Sequence, residues 1–224
     1  MIASKDVKDI ARRLGADLCG IADVERFAGA PAGAHPRDAF PGCRSVIVLA
    51  RRFPLGTLAC GSTIPYTIVR NQLTAVMDRM TFDLSCELEA LGAVGVPTGA
   101  IGPTNLDPAS GRFRGLVSLK HAGELAGLGR IGRNTLLVNA RYGNMIWLGA
   151  VLTDAALAPD PLADYEPCVP GCEACVRACP IQALGDPAMD QGACWNFAFG
   201  PEGGGEWRIK CHRCRSVCPH HRGL

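Results

Sequence analysis

The sequence lacks an apolar run long enough to cross a bilayer, since its longest runs, such as residues 46–50 and 145–148, are far too short. Its first residues, Met-Ile-Ala-Ser-Lys-Asp, lack the apolar core of a secretory signal, and Asp6 and Asp9 argue against a transit peptide. The net charge is only +2, with both signs mixed, so no general attraction to nucleic acid or membranes follows. We therefore expect a cytoplasmic protein without a membrane partner, in which clustered cysteines bind metal before they form disulfides.

The last quarter of the chain also lacks the apolar residues that a folded domain needs. Residues 168–224 contain seven Ile, Leu or Val residues beside eight Gly and five Pro. Such a segment cannot offset its conformational entropy by apolar burial alone. Residues 159–167, with three prolines and three acidic residues, have the composition of a linker. We predict two domains, residues 1–160 and residues 161–224, the second held together by bound metal.

The first 160 residues alternate between strand and helix patterns. Residues 45–50 form a near-continuous apolar run, typical of a strand buried on both faces. A helical stripe follows Tyr66 and comprises Leu73, Met77, Met80, Leu84, Leu88 and Leu91. Further helices are predicted over residues 4–14, with Ser4 as N-cap, and 118–125, and further strands over residues 18–22 and 145–152. This alternation predicts an α/β domain.

Eight of the twelve cysteines lie after residue 167, in two similar sets. The first set is Cys168, Cys172, Cys175 and Cys179, and the second is Cys194, Cys211, Cys214 and Cys218. Each set ends in the C-x2-C-x3-C-P spacing of proteins that hold two [4Fe–4S] clusters, in which the cysteine before the proline binds the other cluster. We therefore predict one cluster on Cys168, Cys172, Cys175 and Cys218. The other is predicted on Cys194, Cys211, Cys214 and Cys179, in a small bacterial-ferredoxin-like domain.

Two structural zinc sites are the alternative, because zinc also binds four thiolates. Zinc ribbons do not repeat a C-x3-C-P segment, so we favour the clusters. The remaining cysteines are not spaced as ligands and are expected to be buried as small apolar side chains. They are Cys19, Cys43, Cys60 and Cys86.

Basic and aromatic residues surround the second cysteine set. The basic ones are Arg208, Lys210, Arg213, Arg215 and Arg222. They form either a solvated face, a field that favours the reduced cluster, or a docking patch for an acidic redox partner or RNA. The aromatic ones are expected to shield the cluster from water. They are Trp195, Phe197, Phe199 and Trp207.

Gly127, Gly129 and Gly132 match the G-x-G-x-x-G spacing of dinucleotide-binding turns. That motif must follow a strand and open a helix, whereas here a predicted helix precedes it and an extended segment follows, so we do not predict nicotinamide binding. The glycines indicate a tight turn that a cofactor, a cluster or another helix approaches closely. Lys120 and His121 lie next to this turn and are candidates for proton transfer to a substrate, the alternative being two exposed helix residues.

Two segments resemble epoxyqueuosine reductases. They are residues 41–48, Pro-Gly-Cys-Arg-Ser-Val-Ile-Val, and residues 126–135, Ala-Gly-Leu-Gly-Arg-Ile-Gly-Arg-Asn-Thr, the second followed by Tyr142-Gly143, Leu148-Gly149 and Thr153-Asp154. The cysteine pattern matches too, and a more distant resemblance extends to reductive dehalogenases. The resemblance implies an α+β nitroreductase-like N-terminal domain that binds cobalamin and receives electrons from two [4Fe–4S] clusters. It also implies that the loop carrying Gly127, Gly129, Gly132 and Asn134 faces the cofactor.

The sequence departs from that family in two places. The family carries an acid in an Asp-x-x-Pro stretch before the glycine turn, where this sequence has Phe113, with Asp107 nearby but out of register. The chain also ends at Leu224, without the helical repeats that help to hold tRNA. We therefore predict an iron–sulfur oxidoreductase that acts on a substrate other than epoxyqueuosine. Its expected partner is a low-potential electron donor or redox protein, and not tRNA.

Two other functions are open to this sequence. The first is a non-enzymatic, ferredoxin-type electron carrier that docks to a partner enzyme. The second and weaker one is nucleic-acid binding through the basic tail, because the sequence indicates no aromatic stacking face among those charges.

Overall fold

The computed structural model describes residues 2–108, 111–185, 189–201 and 205–224. The chain begins with α1 (Ser4–Arg13), β1 (Leu18–Asp23), α2 (Pro36–Ala39), β2 (Ser45–Arg52), α3 (Ile64–Ala90) and β3 (Gly95–Thr98). It continues with β4 (Asn105–Asp107), β5 (Arg112–Arg114), α4 (Leu119–Leu125), β6 (Arg130–Ile131), β7 (Leu137–Val138) and β8 (Ile146–Thr153). The last part contains α5 (Ala174–Ala178), α6 (Gln191–Ala198), β9 (Phe199–Pro201), β10 (Trp207–Ile209) and α7 (Arg213–Ser216).

A four-stranded sheet with the order β1-β2-β8-β3 forms the centre of the fold, and all of its pairings are antiparallel. The side chains of β2 alternate between its two faces, because successive residues of a strand point to opposite sides. Val46 and Val48 pack on the α4 side, whereas Ile47 and Leu49 pack against α1 and α3. All four are fully buried. The predicted mixed α/β fold is confirmed.

Two details of the helices differ from the predictions. Ser4 is the first residue of α1 and not its N-cap, which is Ala3, and the Ser4 hydroxyl donates to the Ala158 carbonyl (3.0 Å). Leu91 is 50% exposed, because α3 ends one residue before it and the chain turns away from the core. The remaining members of the α3 stripe are buried.

The described residues include no helix whose length and hydrophobicity would allow it to cross a membrane.

Residues after 160 pack closely on the sheet and its helices. Ile209 of β10 is 4% exposed and shares a core with Phe53, Tyr66 and Met145. The Ile209 N–H donates to the Thr67 hydroxyl of α3 (3.1 Å). This shared core joins the two predicted domains, and the division at residue 160 stays a prediction.

Candidate metal centres

Cys168, Cys172, Cys175 and Cys218 line one small cavity. Burial raises the pKa of the Cys218 thiol, and the charges of the other three raise it further, so the four side chains lie within electrostatic reach of one another. Helices α5 and α7 pack together and bring Cys218 to this place. His220 Nδ1 donates to the Pro167 carbonyl (3.2 Å), which ties the chain ends on either side of the cavity. We name these four cysteines the first group.

The second group consists of Cys179, Cys194, Cys211 and Cys214. Burial raises the pKa of the Cys194 thiol, and the charges of Cys211 and Cys179 add to that effect. Burial also raises the pKa of Cys214 to about 11; Arg215 opposes the shift, while Cys211 and Cys194 increase it. These interactions place Cys179 near Cys194 and Cys218 near Cys168, Cys172 and Cys175, as the predicted exchange requires, while Cys214 also lies within electrostatic reach of Cys175 in the first group. That these thiols bind iron stays a prediction.

Backbone N–H groups point at sulfur atoms in both groups. The Arg133 N–H donates to Cys168 Sγ (3.4 Å), and the Ala183 N–H donates to Cys179 Sγ (3.2 Å). Such bonds favour the thiolate and tune the potential of a bound cluster. Within the part of the chain that the structure describes, no three Cys, His, Asp or Glu side chains converge as ligands of a single metal ion.

Gly127 and Gly129 lie between α4 and β6, and Gly132 follows β6, so a helix and not a strand precedes the turn. A Cβ on Gly127 would lie 2.1 Å from the Pro161 carbonyl oxygen, and one on Gly129 would lie 2.3 Å from the Val138 carbonyl oxygen. These two glycines are therefore covered by protein backbone. Gly132 differs, because its Cβ would lie 3.5 Å from Cys168 Sγ. Of the three, Gly132 alone faces a cysteine group.

Asn134 connects the glycine turn to both groups. It is 3% exposed and lines the cavity of the first group. Its Nδ2 donates to the carbonyl of Cys214 in the second group (3.3 Å), while its Oδ1 accepts from the Leu136 N–H (3.1 Å). Asn134 thus fixes the distance between the turn and the segment that carries Cys214.

Lys120 and His121 lie in different surroundings, because adjacent helix residues point about 100° apart. Burial lowers the pKa of Lys120, and the charges of Cys214 and Cys194 oppose that shift, which places the ammonium near the second group. His121 is exposed, with Nδ1 2.7 Å from the Ser118 hydroxyl. The structure brings Lys120 to a cysteine group, but not His121.

The β4–β5 hairpin holds Asp107 and Phe113 on opposite faces. Leu106 lies opposite Phe113 in the register, so Asp107, the next residue, points the other way. The Asp107 carboxylate pairs with the Arg114 guanidinium (2.9 Å). The Phe113 ring instead contacts Trp195 of α6, with ring centroids 5.5 Å apart.

Aromatic rings form a continuous row beside the second group. Trp195 lies between Phe113 and Phe199, and Phe199 also contacts Trp207, at centroid distances of 5.5, 4.5 and 6.0 Å. Phe113, Trp195 and Trp207 are 43%, 38% and 45% exposed, so the row reaches solvent, and its shielding of a cluster stays a prediction. The Arg70 guanidinium lies 5.6 Å from the centre of the Trp207 ring. Arg70 belongs to α3 and not to the basic tail, so the expectation that no aromatic stacking face is interleaved with the charges of that tail stays a prediction.

The four cysteines outside the two groups fall into two pairs. Cys43 is buried, and Cys19 is partly buried, with a pKa that burial raises to about 12. Cys60 and Cys86 are exposed, so the expectation of burial is wrong for them. Cys86 lies on the outer side of α3, and Cys60 lies in the loop that precedes this helix.

Arg215 differs from a solvent-exposed basic residue, although it lies beside the second cysteine group. It is 5% exposed and does not belong to a solvated basic face. Its guanidinium donates to the Asn144 carbonyl, while Asn144 Nδ2 donates to the Arg215 carbonyl (3.2 Å). It also hydrogen-bonds with Tyr66, a buried residue whose pKa is raised by burial. The sequence offered one signal for Arg215, its position directly after Cys214.

No family model matches this chain. The curated epoxyqueuosine reductase of Gloeobacter violaceus is 30% identical over 243 residues, which cover 97% of this chain and 70% of that enzyme. The epoxyqueuosine reductase of Lactococcus garvieae is 34% identical over 112 residues, which cover 44% of this chain. That match covers 30% of the relative, so this chain spans about a third of the length of that relative.

Solved structures share the fold of the whole chain. One of them is epoxyqueuosine reductase from Bacillus subtilis, with its catalytic aspartate loop swung out of the active site. It matches with a TM-score of 0.68 at 18% identity, and the match covers 98% of this chain and 65% of that chain. An epoxyqueuosine reductase with an epoxyqueuosine-modified tRNA stem loop has a TM-score of 0.64 at 19% identity, with coverages of 98% and 65%. A reductive dehalogenase whose structure suggests a mechanism for B12-dependent dehalogenation has a TM-score of 0.62 at 16% identity, with coverages of 95% and 31%.

Proposed function

This chain belongs to the epoxyqueuosine reductase family, and on that premise we propose that it is an iron–sulfur oxidoreductase. Two [4Fe–4S] clusters, one on each cysteine group, take electrons from a low-potential donor and pass them to an acceptor held by residues 1–160. The observation that carries the proposal is the exchange between the sets: Cys218 lies with the first group and Cys179 with the second. Interlocked sets of this kind are the arrangement of two-cluster ferredoxins.

The chemistry of the thiols supports iron–sulfur clusters over free thiols or zinc ions. Burial raises the pKa of Cys175, Cys194, Cys214 and Cys218, so free thiols at these positions would stay protonated near neutral pH. Iron supplies the positive charge that makes the thiolates favourable. The four thiols of the first group surround a cavity, which suits a cubane whose iron atoms take one thiolate each better than a single zinc ion.

A corrinoid is the acceptor that we propose, because a reductive dehalogenase of this fold has a mechanism of B12-dependent dehalogenation. The glycine turn is a poor seat for it, since backbone carbonyls already cover Gly127 and Gly129. A cleft of about 390 Å³ offers a better one. It is lined by Arg52, Phe53, Pro54, Leu55, Tyr142, Met145 and Arg222. Its apolar side chains and two guanidinium groups suit a large organic cofactor that carries a phosphate, and such a cofactor, when bound, supplies a reducing metal centre.

Stacked rings connect this cleft with the second group. Phe53 lines the cleft and stacks on Tyr66, with ring centroids 4.7 Å apart. Tyr66 in turn stacks on His212, at 4.5 Å, and His212 follows Cys211 in the chain. The second group is therefore the one that we propose to deliver electrons to the acceptor. For the accompanying proton we propose Lys120, which lies near the same group, and not His121.

The substrate that we propose is not epoxyqueuosine. A proton donor must stand beside the oxygen that gains negative charge when an epoxide is reduced. Asp107 points away from the Phe113 face of its hairpin and pairs with Arg114, and Phe113 has no proton to donate. A nucleobase-bearing substrate is the second candidate, since the row from Phe113 to Trp207 offers the exposed aromatic face on which bases stack.

Metal analysis of anaerobically reconstituted protein tests the central proposal. We expect about eight iron and eight sulfide per chain. Cys179→Ala should remove one cluster and leave the other, so that about four iron remain, while Cys86→Ala, an exposed cysteine outside both groups, should keep all eight. Two zinc ions without sulfide, or equal iron contents in the two variants, would overturn the proposal.

Absorption spectra and an activity assay test the acceptor and the substrate. Cobalamin added to the reconstituted protein should co-elute with it in gel filtration and shift its corrin bands, and Arg222→Ala should weaken that binding. Reduced, cobalamin-loaded protein should convert epoxyqueuosine-modified tRNA at a rate about 10²–10⁴ times lower than a relative that has the acid. Turnover equal to that of such a relative would refute the proposed change of substrate.

A further inference from the structure

Arg215 is a buried cation that forms no ion pair with a carboxylate of the described residues. Its guanidinium donates to the Asn144 carbonyl, hydrogen-bonds with the Tyr66 hydroxyl and lies 5.6 Å from the centre of the Phe53 ring. None of these neighbours carries a negative charge at neutral pH. Because a buried charge without a counter-charge destabilises a fold strongly, a negative group is expected close by.

The second group can supply that negative charge. Cys214 directly precedes Arg215, and the Phe53 ring that the Arg215 guanidinium approaches (5.6 Å) is joined through Tyr66 to His212, which lies between Cys211 and Cys214. Four thiolates around a [4Fe–4S] core leave a net negative charge, which increases when the cluster accepts an electron. A fixed cation at this position therefore stabilises the assembled cluster, and it stabilises the reduced state more than the oxidised state.

The cations that flank the first group are of a different kind. The side chains of Arg133 and Arg177 are 53% and 70% exposed, and both lie 3.5 Å from the Glu173 carboxylate. Solvent and this carboxylate screen their charges. The arginines beside the first group therefore stabilise the extra negative charge of a reduced cluster less than Arg215 does at the second group.

We propose, resting on the two-cluster function above, that Arg215 raises the reduction potential of the second cluster above that of the first. One electron from a low-potential donor reduces the first cluster. It then passes to the second cluster, so that the first is reoxidised and the second reduced, and no bond is made or broken. The potential difference gives electron flow a direction, towards the group that the stacked rings connect with the cleft. Arg215 acts on the cluster and has no contact with substrate in this scheme.

Redox titration of the anaerobic holoprotein, followed by electron paramagnetic resonance, tests this inference. Cys172→Ala and Cys211→Ala, which each leave one cluster, identify the two signals. In the unaltered protein the second cluster should have the higher potential. Arg215→Met should lower its equilibrium constant for reduction at least tenfold, which corresponds to 59 mV for one electron. The potential of the first cluster should not change.

Two further variants separate charge from fold. Arg215→Lys keeps the charge and should stay within threefold of the unaltered protein. Arg213→Met removes an exposed arginine from the same helix and should also stay within threefold. The inference is overturned if Arg215→Met behaves like Arg213→Met, or if the second cluster has the lower potential in the unaltered protein. The order of the two potentials in the unaltered protein tests the inference even if Arg215→Met fails to fold. A protein that never assembles two clusters would instead contradict the proposed function.

Discussion

Gly143 lies where the tail of the chain touches the sheet domain, and its replacement by alanine measures how much that contact matters. Its φ is +58°, in the left-handed region, and a Cβ would lie 2.0 Å from the His220 carbonyl oxygen. The same Cβ would lie 2.5 Å from the His221 carbonyl carbon and 2.7 Å from the Gly223 nitrogen. All three contacts are with backbone, so no side chain can rotate to make room. The residues concerned directly follow Cys218 of the first group.

Two effects add up in Gly143→Ala. The left-handed conformation itself costs an alanine about 1–2 kcal/mol. Relief of the clash needs the His220 oxygen to move from 2.0 Å to the 3.4 Å at which ordinary contact begins, a shift of about 1.4 Å. Overpacking of this size costs about 1–3 kcal/mol, and a rigid backbone favours the upper end. For a chain of this length, about 3 kcal/mol corresponds to a fall of about 6–12 °C in Tm.

Gly33→Ala is the matched control, because Gly33 has φ +77° but no atom within 4 Å of its added Cβ. It includes the conformational effect without the clash. We expect Gly143→Ala to have an apparent Tm about 6–12 °C below that of Gly33→Ala in anaerobic calorimetry. It should also lose iron to a chelator faster, because a displaced His220 moves Cys218. Equal Tm values and equal iron loss in the two variants would show that the tail does not rest on Gly143.

Three further outcomes follow from cysteine burial and from the composition of the tail. In the folded holoprotein, iodoacetamide should label the exposed Cys60 and Cys86 and not Cys19, whose pKa is raised by burial to about 12; equal labelling by mass spectrometry would contradict this. Because the folded pKa of Cys19 exceeds its unfolded value of 9.0, the stability it contributes is complete below pH 9 and is lost as pH rises towards 12. Urea titrations between pH 9 and about pH 10.5 should therefore show that the free energy of unfolding falls less steeply with pH in Cys19→Ala than in the unaltered protein, by up to about 1.4 kcal/mol per pH unit. Equal pH dependence in the two proteins would refute the burial of Cys19. Removal of iron should open residues 168–224 to trypsin before residues 1–160, since the tail has few apolar side chains to hold it; simultaneous digestion would argue against two domains.

Local pattern was sufficient for the main strand and the long helix, and it carries the prediction for the cysteine groups. The apolar run of β2 and the stripe of α3 depend on residue spacing within one element, so their periods predict strand and helix directly. The C-x3-C-P repeats carry the same kind of information, because a short loop and one helical turn fix where the last cysteine points. The structure places Cys218 near Cys168, Cys172 and Cys175, and Cys179 near Cys194, while the two ligand sets themselves stay a prediction.

Contacts between distant segments decided what the spacing could not. The aromatic row joins the β4–β5 hairpin to α6, β9 and β10, and no local period relates Phe113 to Trp207. The neighbours of the glycine turn, such as the Pro161 carbonyl at Gly127, likewise come from another part of the chain.

Arg215 shows the limit most clearly. From the sequence it is one of several basic residues near a cysteine, and its charge predicts exposure. In the fold, α7 turns it inward onto Asn144, which precedes β8, and onto Tyr66 of α3. The sequence by itself singled out the cysteines that we predict to hold the clusters. The tertiary structure alone decided which charge lies beside each group, since burial is a property of packing and not of residue type.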